Sequence, residues 1–185
     1  CGNGTLARTP SKSFAQPEPG LADGWPDRSR FDAPRGIAIH PASGDVIVAD
    51  TNNHLIRLVN ASGFTFTIAG QVEPANDEPN CLPPCLRGVP GYNDGNASRA
   101  QFSYPLAVAI DQVSSTKFNK TNGRYTVLVA DGHRVRRLIP ADGYWHSRYA
   151  FDGGIVSEGG QVVTLAGTAD PGDADGAGPD AKFDR

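Results

Sequence analysis

Methionine is missing from all 185 residues, so Cys1 is expected to follow a cleavage or a truncation. Cysteine is scarce, with Cys1, Cys81 and Cys85 the whole supply. A zinc site needs four ligands, and no further His or Cys stands near the Cys81–Cys85 pair to complete one. No apolar run approaches the roughly 18 residues of a membrane-spanning helix, which excludes that kind of insertion. Basic residues are not in excess: 17 Lys and Arg stand against 20 Asp and Glu, for a net charge of −3. That balance argues against a nucleic-acid-binding face, which needs concentrated positive charge. Gly-x-Ser-x-Gly, His-Glu-x-x-His and a phosphate-cradling Gly loop are all absent. No catalytic residue, metal ligand or cofactor is therefore assigned.

What the chain has is turn-formers, 22 Gly and 15 Pro, between short runs rich in Val, Ile, Leu, Thr and Phe. That pattern predicts many short strands rather than helices. The runs also repeat. Phe31-Asp-Ala-Pro34-Arg-Gly-Ile-Ala-Ile39 aligns with Phe102-Ser-Tyr-Pro105-Leu-Ala-Val-Ala-Ile110. Asp45-Val-Ile-Val-Ala-Asp50 aligns with Tyr125-Thr-Val-Leu-Val-Ala-Asp131, and His54-Leu-Ile-Arg57 with His133-Arg-Val-Arg136. Phe66-Thr-Ile-Ala-Gly70 aligns with Val163-Thr-Leu-Ala-Gly167. Ala22-Asp23-Gly24, Asn93-Asp94-Gly95 and Ala174-Asp175-Gly176 stand ahead of Phe31, Phe102 and Phe183. Such internal periodicity marks stacked structural units.

Each unit reads as four antiparallel strands. Ile37–Ile39 and Val46–Val48 are continuously apolar and are expected to be buried on both faces. Leu55-Ile-Arg57-Leu-Val59 is mixed and is expected to be a half-exposed outer strand. Five motifs in this order resemble the NHL repeat of six-bladed β-propellers, with Asn53-His54-Leu55 as the name-giving stretch. The second unit departs from it at Gly132-His133-Arg134. The resemblance implies an all-β fold of four-stranded propeller blades, about two complete and partial ones at both ends.

The expected organisation is the end of a preceding blade and a connecting loop over 1–30, and a first blade over 31–70. An insertion with Cys81 and Cys85 covers 71–101, a second blade with insertions 102–167, and the start of a third 168–185. Two blades do not close a ring. The chain is thus read as a piece of a longer propeller, or as one that joins other copies into a ring or an open polymer through a Thr5-Leu6-Ala7 edge.

Cys81 and Cys85 are expected to form a small disulfide, with Cys1 left over. Asn-x-Ser/Thr occurs at Asn3, Asn60, Asn96 and Asn119, all outside the middles of the expected strands. These are expected N-glycosylation sites, and with the disulfide they point to secretion. Tyr144, Trp145 and Tyr149 are the candidate contact aromatics. His54 and His133 recur by unit and are read as structural, while His40 and His146 stand outside the repeat. Asp50 and Asp131 are read as caps of the turns that follow them. Asp170, Asp173 and Asp175 lack EF-hand spacing. Arg134, Arg136, Arg137 and Arg148 form a local basic cluster, with alternation setting Arg136 and Arg137 on opposite faces.

The function expected is that of a secreted, non-enzymatic interaction or structural module. Its partners are other protein chains, copies of itself among them, and N-linked glycans. The alternative is a fragment of a secreted metal-dependent propeller enzyme of lyase or hydrolase type, as the resemblance to amidating lyases implies.

Overall fold

The computed structural model describes residues 19–75, 85–111, 125–141 and 160–184. Among these there is no α-helix, and the fold is all-β. The first sheet holds β1 (Pro34–Ile39), β2 (Val46–Asp50), β3 (Leu55–Val59) and β4 (Thr65–Ala69), hydrogen-bonded in that order. After β5 (Val72–Pro74) and β6 (Leu86–Gly88), which pair with each other, comes a two-residue strand, β7 (Gly95–Asn96). The second sheet follows as β8 (Pro105–Asp111), β9 (Thr126–Asp131), β10 (Arg134–Ile139) and β11 (Gln161–Ala166). Its order is β8-β9-β10-β11 with β7 added outside β11, and every named pairing is antiparallel.

The two sheets repeat down to their irregularities. Each carries a register shift at the start of its first strand, at Pro34/Ile37 and at Pro105/Ala107. Each carries another directly before the third-strand arginine, at Ile56/Arg57 and at Val135/Arg136. A bulge locally re-aims side chains, here those of Arg57 and Arg136.

The sheets stack on each other. Ile47, Ala49, Ile56, Leu58, Ile68 and Ala69 of the first share one core with Val127, Val129, Leu138 and Val162 of the second. Ala97, Ala100 and Phe102, from the segment leading into β8, belong to the same core. At Gly36 a Cβ would lie 2.5 Å from Ala107 Cα, so β1 and β8 meet backbone to backbone.

Burial reverses two strand expectations. Ile37 and Ile39 are 65% and 62% exposed, whereas Arg57 is 0% exposed. The innermost strand turns its large side chains away from the second sheet, and among the described residues nothing covers them. The expected half-exposed strand is instead the best buried, because the charge on Arg57 is matched internally. The segments 20–31 and 91–102 add bridges beyond the fourth strands: Gly24 pairs with Thr65, and Gly95 with Val162.

Candidate interaction surface

Chemistry on a propeller needs accessible polar groups, so the charged side chains come first. Asp50 ends β2 and is fully buried. Its Oδ1 accepts from Asp32 N at 2.8 Å, and its Oδ2 accepts from Asn53 Nδ2 at 2.9 Å and from Arg57 NH1 at 2.8 Å. Arg57 also donates to Asp23 Oδ1 at 2.6 Å and to the carbonyls of Ala22 and Arg30. Asp23 accepts in turn from the backbone and hydroxyl of Thr67. The guanidinium lies 4.9 Å from the Phe31 ring centroid.

The second unit rebuilds this network. Asp131 accepts from Ser103 N at 2.7 Å and from Arg136 NH1 at 3.1 Å. Arg136 reaches Asp94 Oδ1 at 2.6 Å and the carbonyls of Asn93 and Gln101. Asp94 accepts from the backbone and hydroxyl of Thr164. Arg136 stands 4.7 Å from the Phe102 centroid.

Asp50 and Asp131 thus hold more than the turns after them, which only Asp50 reaches, through the Asn53 side chain. Their Oδ1 atoms fix the Phe-x-x-Pro turn by binding the amide just before Ala33 and Tyr104, whose φ values are +46° and +59°. A left-handed non-glycine residue ahead of proline is costly and needs such bracing. Burial pushes both carboxyls above the usual carboxylate value, against the pull of hydrogen bonds and of Arg57 and Arg136. These groups brace the framework of each blade.

The remaining polar candidates are also engaged. Arg137 pairs with Asp111 at 3.3 Å, and Arg134 lies over the Tyr92 ring while donating to the Tyr92 carbonyl. The basic cluster seen in the sequence is therefore divided among three separate contacts. His40 Nδ1 meets Ser43 Oγ at 2.8 Å, and its ring stacks on Tyr125, which orders the β1–β2 turn. Among the described residues no group of three His, Cys, Asp or Glu side chains is gathered for a metal ion. Asp170, Asp173 and Asp175 are exposed along one loop.

His54 works across the junction. Its φ is +56°, its Nδ1 accepts from Tyr104 N at 3.3 Å, and its ring meets Tyr104 edge-on at 4.7 Å. Burial holds its pKa below the ordinary value of 6.5. A protonated Nδ1 cannot accept, so the neutral form is the native one. The linkage sign follows: this contribution is complete above the unfolded value near 6.5 and is lost as pH falls below it. The expected result is a urea midpoint that drops between pH 7 and 5 in the native protein, with a smaller drop in His54→Gln. An equal drop in both proteins would show that His54 is not the titrating group.

Asn60 lies in the β3–β4 turn, where its Oδ1 accepts from Ser62 N and Phe64 N. Asn96 is exposed, and its Oδ1 accepts from Ser98 N and Ser98 Oγ. In each sequon Oδ1 holds the turn, and Nδ2, the atom that would carry a sugar, is the other amide atom. Asn60 follows β3 and Asn96 ends β7, both away from β1 and β8. Asn3, Asn119, Cys1, Cys81, Tyr144, Trp145, Tyr149, His146 and Arg148 lie outside the described residues, as does the Thr5–Ala7 edge. Cys85 is half-buried just before β6, and its carbonyl accepts from Ala75 N. Trp25, Tyr104 and Phe183 are exposed aromatics outside the candidate set read from the sequence. Phe183 was visible in advance as the third copy of the Phe31 and Phe102 position.

The match to known families falls on the first sheet and its network, over residues 31–57. Those residues are an NHL repeat. No curated protein matches the chain. Among the solved structures that resemble it are two from Bacteroides thetaiotaomicron VPI-5482. One is a structural genomics protein of unknown function, with 16% identity and a TM-score of 0.49, covering 80% of this chain and 27% of that one. The other is an auxiliary nutrient binding protein, with 25% identity and a TM-score of 0.42, covering 63% of this chain and 24% of that one. The chain spans about a quarter of the length of either. The two main antiparallel sheets are propeller-type blades, and the first carries the NHL repeat. The charged residues of the repeated Asp–Arg networks are built into the frame of these blades.

Proposed function

We propose that this NHL module is secreted and N-glycosylated and acts without catalysis, as a structural subunit of an extracellular assembly. The supporting observation is the placement of Asn60 and Asn96. Asn60 is a half-buried residue of the β3–β4 turn, and Asn96 is an exposed residue ending β7, the strand outside β11; both lie away from β1 and β8. Glycans there would shield the rim and leave the two blade faces for protein partners. The disulfide of Cys81 with Cys85 belongs to the same reading, since an oxidising compartment would form it. The Tyr144–Tyr149 aromatics would add contacts on that surface.

Intact mass of the native protein, before and after enzymatic N-deglycosylation and reduction, tests this. The expected result is loss of sugar mass on deglycosylation and, after proteolysis, a Asn-to-Asp conversion at Asn60 and Asn96. An unchanged mass would overturn the glycosylated, secreted reading.

A further inference from the structure

The end of each sheet carries a short cross-strand row. In the first sheet Val59 faces Thr65, and Gly24 pairs with Thr65 from the other side through backbone hydrogen bonds of 2.9 and 2.8 Å. One step further along, the same register sets Asn60, Phe64 and Trp25 side by side. Residues opposite each other in antiparallel strands project from the same face. The contacts agree: Phe64 N donates to Asn60 Oδ1 at 2.9 Å, and the Phe64 and Trp25 rings meet at 5.3 Å in a T-shaped pair. The lead-in follows the turn one residue further, since a Cβ on Gly63 would lie 3.0 Å from Pro26 Cγ.

The second sheet has the same row. Ile139 faces Gln161, and Gln161 faces Asn96. Counted from the buried arginines, which sit opposite Thr67 and Thr164, Ile139 holds the place of Asn60 and Gln161 that of Phe64. Counted from Asp23 and Asp94, Asn96 holds the place of Trp25. Both described sequon asparagines therefore lie on one and the same row, at opposite ends of it.

The first row joins a sugar acceptor to an aromatic ring. The Asn60 carboxamide is fixed, because its Oδ1 accepts from both Ser62 N and Phe64 N. Its Nδ2 therefore leaves the turn from one position. Trp25 stands two strand spacings away, about 10 Å. The two-sugar core of an N-glycan spans that distance. Trp25 is 53% exposed among the described residues. Its ring face is electron-rich, and the C–H face of a pyranose ring is weakly positive, so the two pack together.

We propose that the N-glycan on Asn60 lies along this row and packs its first sugars on the Trp25 ring. The proposal rests on the glycosylated reading above, and it assigns Trp25 to sugar rather than to a protein partner. The glycan would then tie the β3–β4 turn to the lead-in, beside the Gly24–Thr65 pair and the bonds from Thr67 to Asp23. Asp23 also grips Arg57, so the sugar braces the same segment that completes the buried charge network.

Two variants of the full glycosylated chain test this. Ser62→Ala abolishes the sequon and keeps both bonds to Asn60 Oδ1, whose donors are backbone amides. Trp25→Ser removes the ring at an exposed position. In proton NMR, the N-acetyl methyl signals that vanish in Ser62→Ala belong to the Asn60 glycan. At least one should stand upfield of its position in the urea-unfolded chain, and should return to that position in folded Trp25→Ser. In urea denaturation, Ser62→Ala should raise the unfolding equilibrium constant roughly threefold or more in the native background and leave it unchanged in the Trp25→Ser background, the non-additivity of groups in contact. If Trp25→Ser does not fold, the methyl position in the native chain decides alone. Unshifted methyl signals on a sugar-bearing Asn60 would overturn the packing and leave glycosylation standing. Absence of sugar from Asn60 alone would also overturn it, and absence from both Asn60 and Asn96 would sink the glycosylated reading as well.

Discussion

Replacing Arg57 with methionine is expected to lower the unfolding free energy by about 3–5 kcal/mol, the usual cost of removing one partner from a buried ion pair. The size follows from what is left behind. Asp50 and Arg57 both have fully buried side chains, 2.8 Å apart. Without the guanidinium, Asp50 keeps only the Asp32 amide and the Asn53 amide group, and the Ala22 carbonyl is left with the Arg30 amide alone. Lysine at 57 should recover only part of the loss, because a point charge cannot fork between Asp50 and Asp23. Arg136→Met should behave in the same way in the second blade, where Asp131 is equally buried. The measurement is urea denaturation of the full chain. The control is Arg28→Met, whose pairing with Asp27 is 4.0 Å long and largely exposed; it should change stability by no more than about 0.5 kcal/mol. Equal effects at Arg28 and Arg57 would show that the network is not a source of stability.

That network also marks the limit of what could be read from residues alone. The repeats, the strand order within each blade and the equivalence of the three Ala/Asn-Asp-Gly segments were legible, because period-2 runs between Gly, Asn, Asp and Pro are local signals. Arg57 was read as the sign of an outer strand, since strand periodicity reports charge without reporting its partner. Its partners lie seven and 34 residues away, and only the fold brings them together. A trace was available. Arg57, Asp50 and Asp23 recur as Arg136, Asp131 and Asp94, and opposite charges that repeat together are a signature of pairing.

Ile37 and Ile39 failed in the opposite sense. Their apolarity is that of a strand between two blades, but the described chain covers one side only. β5 and β6 carried no such pattern. Neither did the added β7 edge, where a two-residue bridge depends on Gly95 at a φ of +122°.

The other large effect concerns how closely the blades meet. Gly36→Ala is expected to lower the unfolding free energy by about 3 kcal/mol, the upper part of the usual range for overpacking. A Cβ at 36 would lie 2.5 Å from Ala107 Cα, 2.8 Å from the Leu106 carbonyl oxygen and 3.0 Å from Val108 N. All three are backbone atoms of a strand hydrogen-bonded to β9, so none can rotate away as a side chain would. Relief requires β1 and β8 to separate, which would thin the core shared by Ile47, Ala49, Val127 and Val129. Ala107→Gly in the same chain should not rescue the defect, because the clash is with Cα and not with Cβ. Gly44→Ala is the comparison: its φ is +75° but its Cβ would meet nothing within 4 Å, so only the left-handed backbone cost of roughly 1–2 kcal/mol applies. Rescue by Ala107→Gly, or a smaller loss at Gly36 than at Gly44, would mean that the blades are held further apart than their backbones indicate. If the blades do meet this closely, the chain has a reason to keep its narrowest strand position at the centre of the stack.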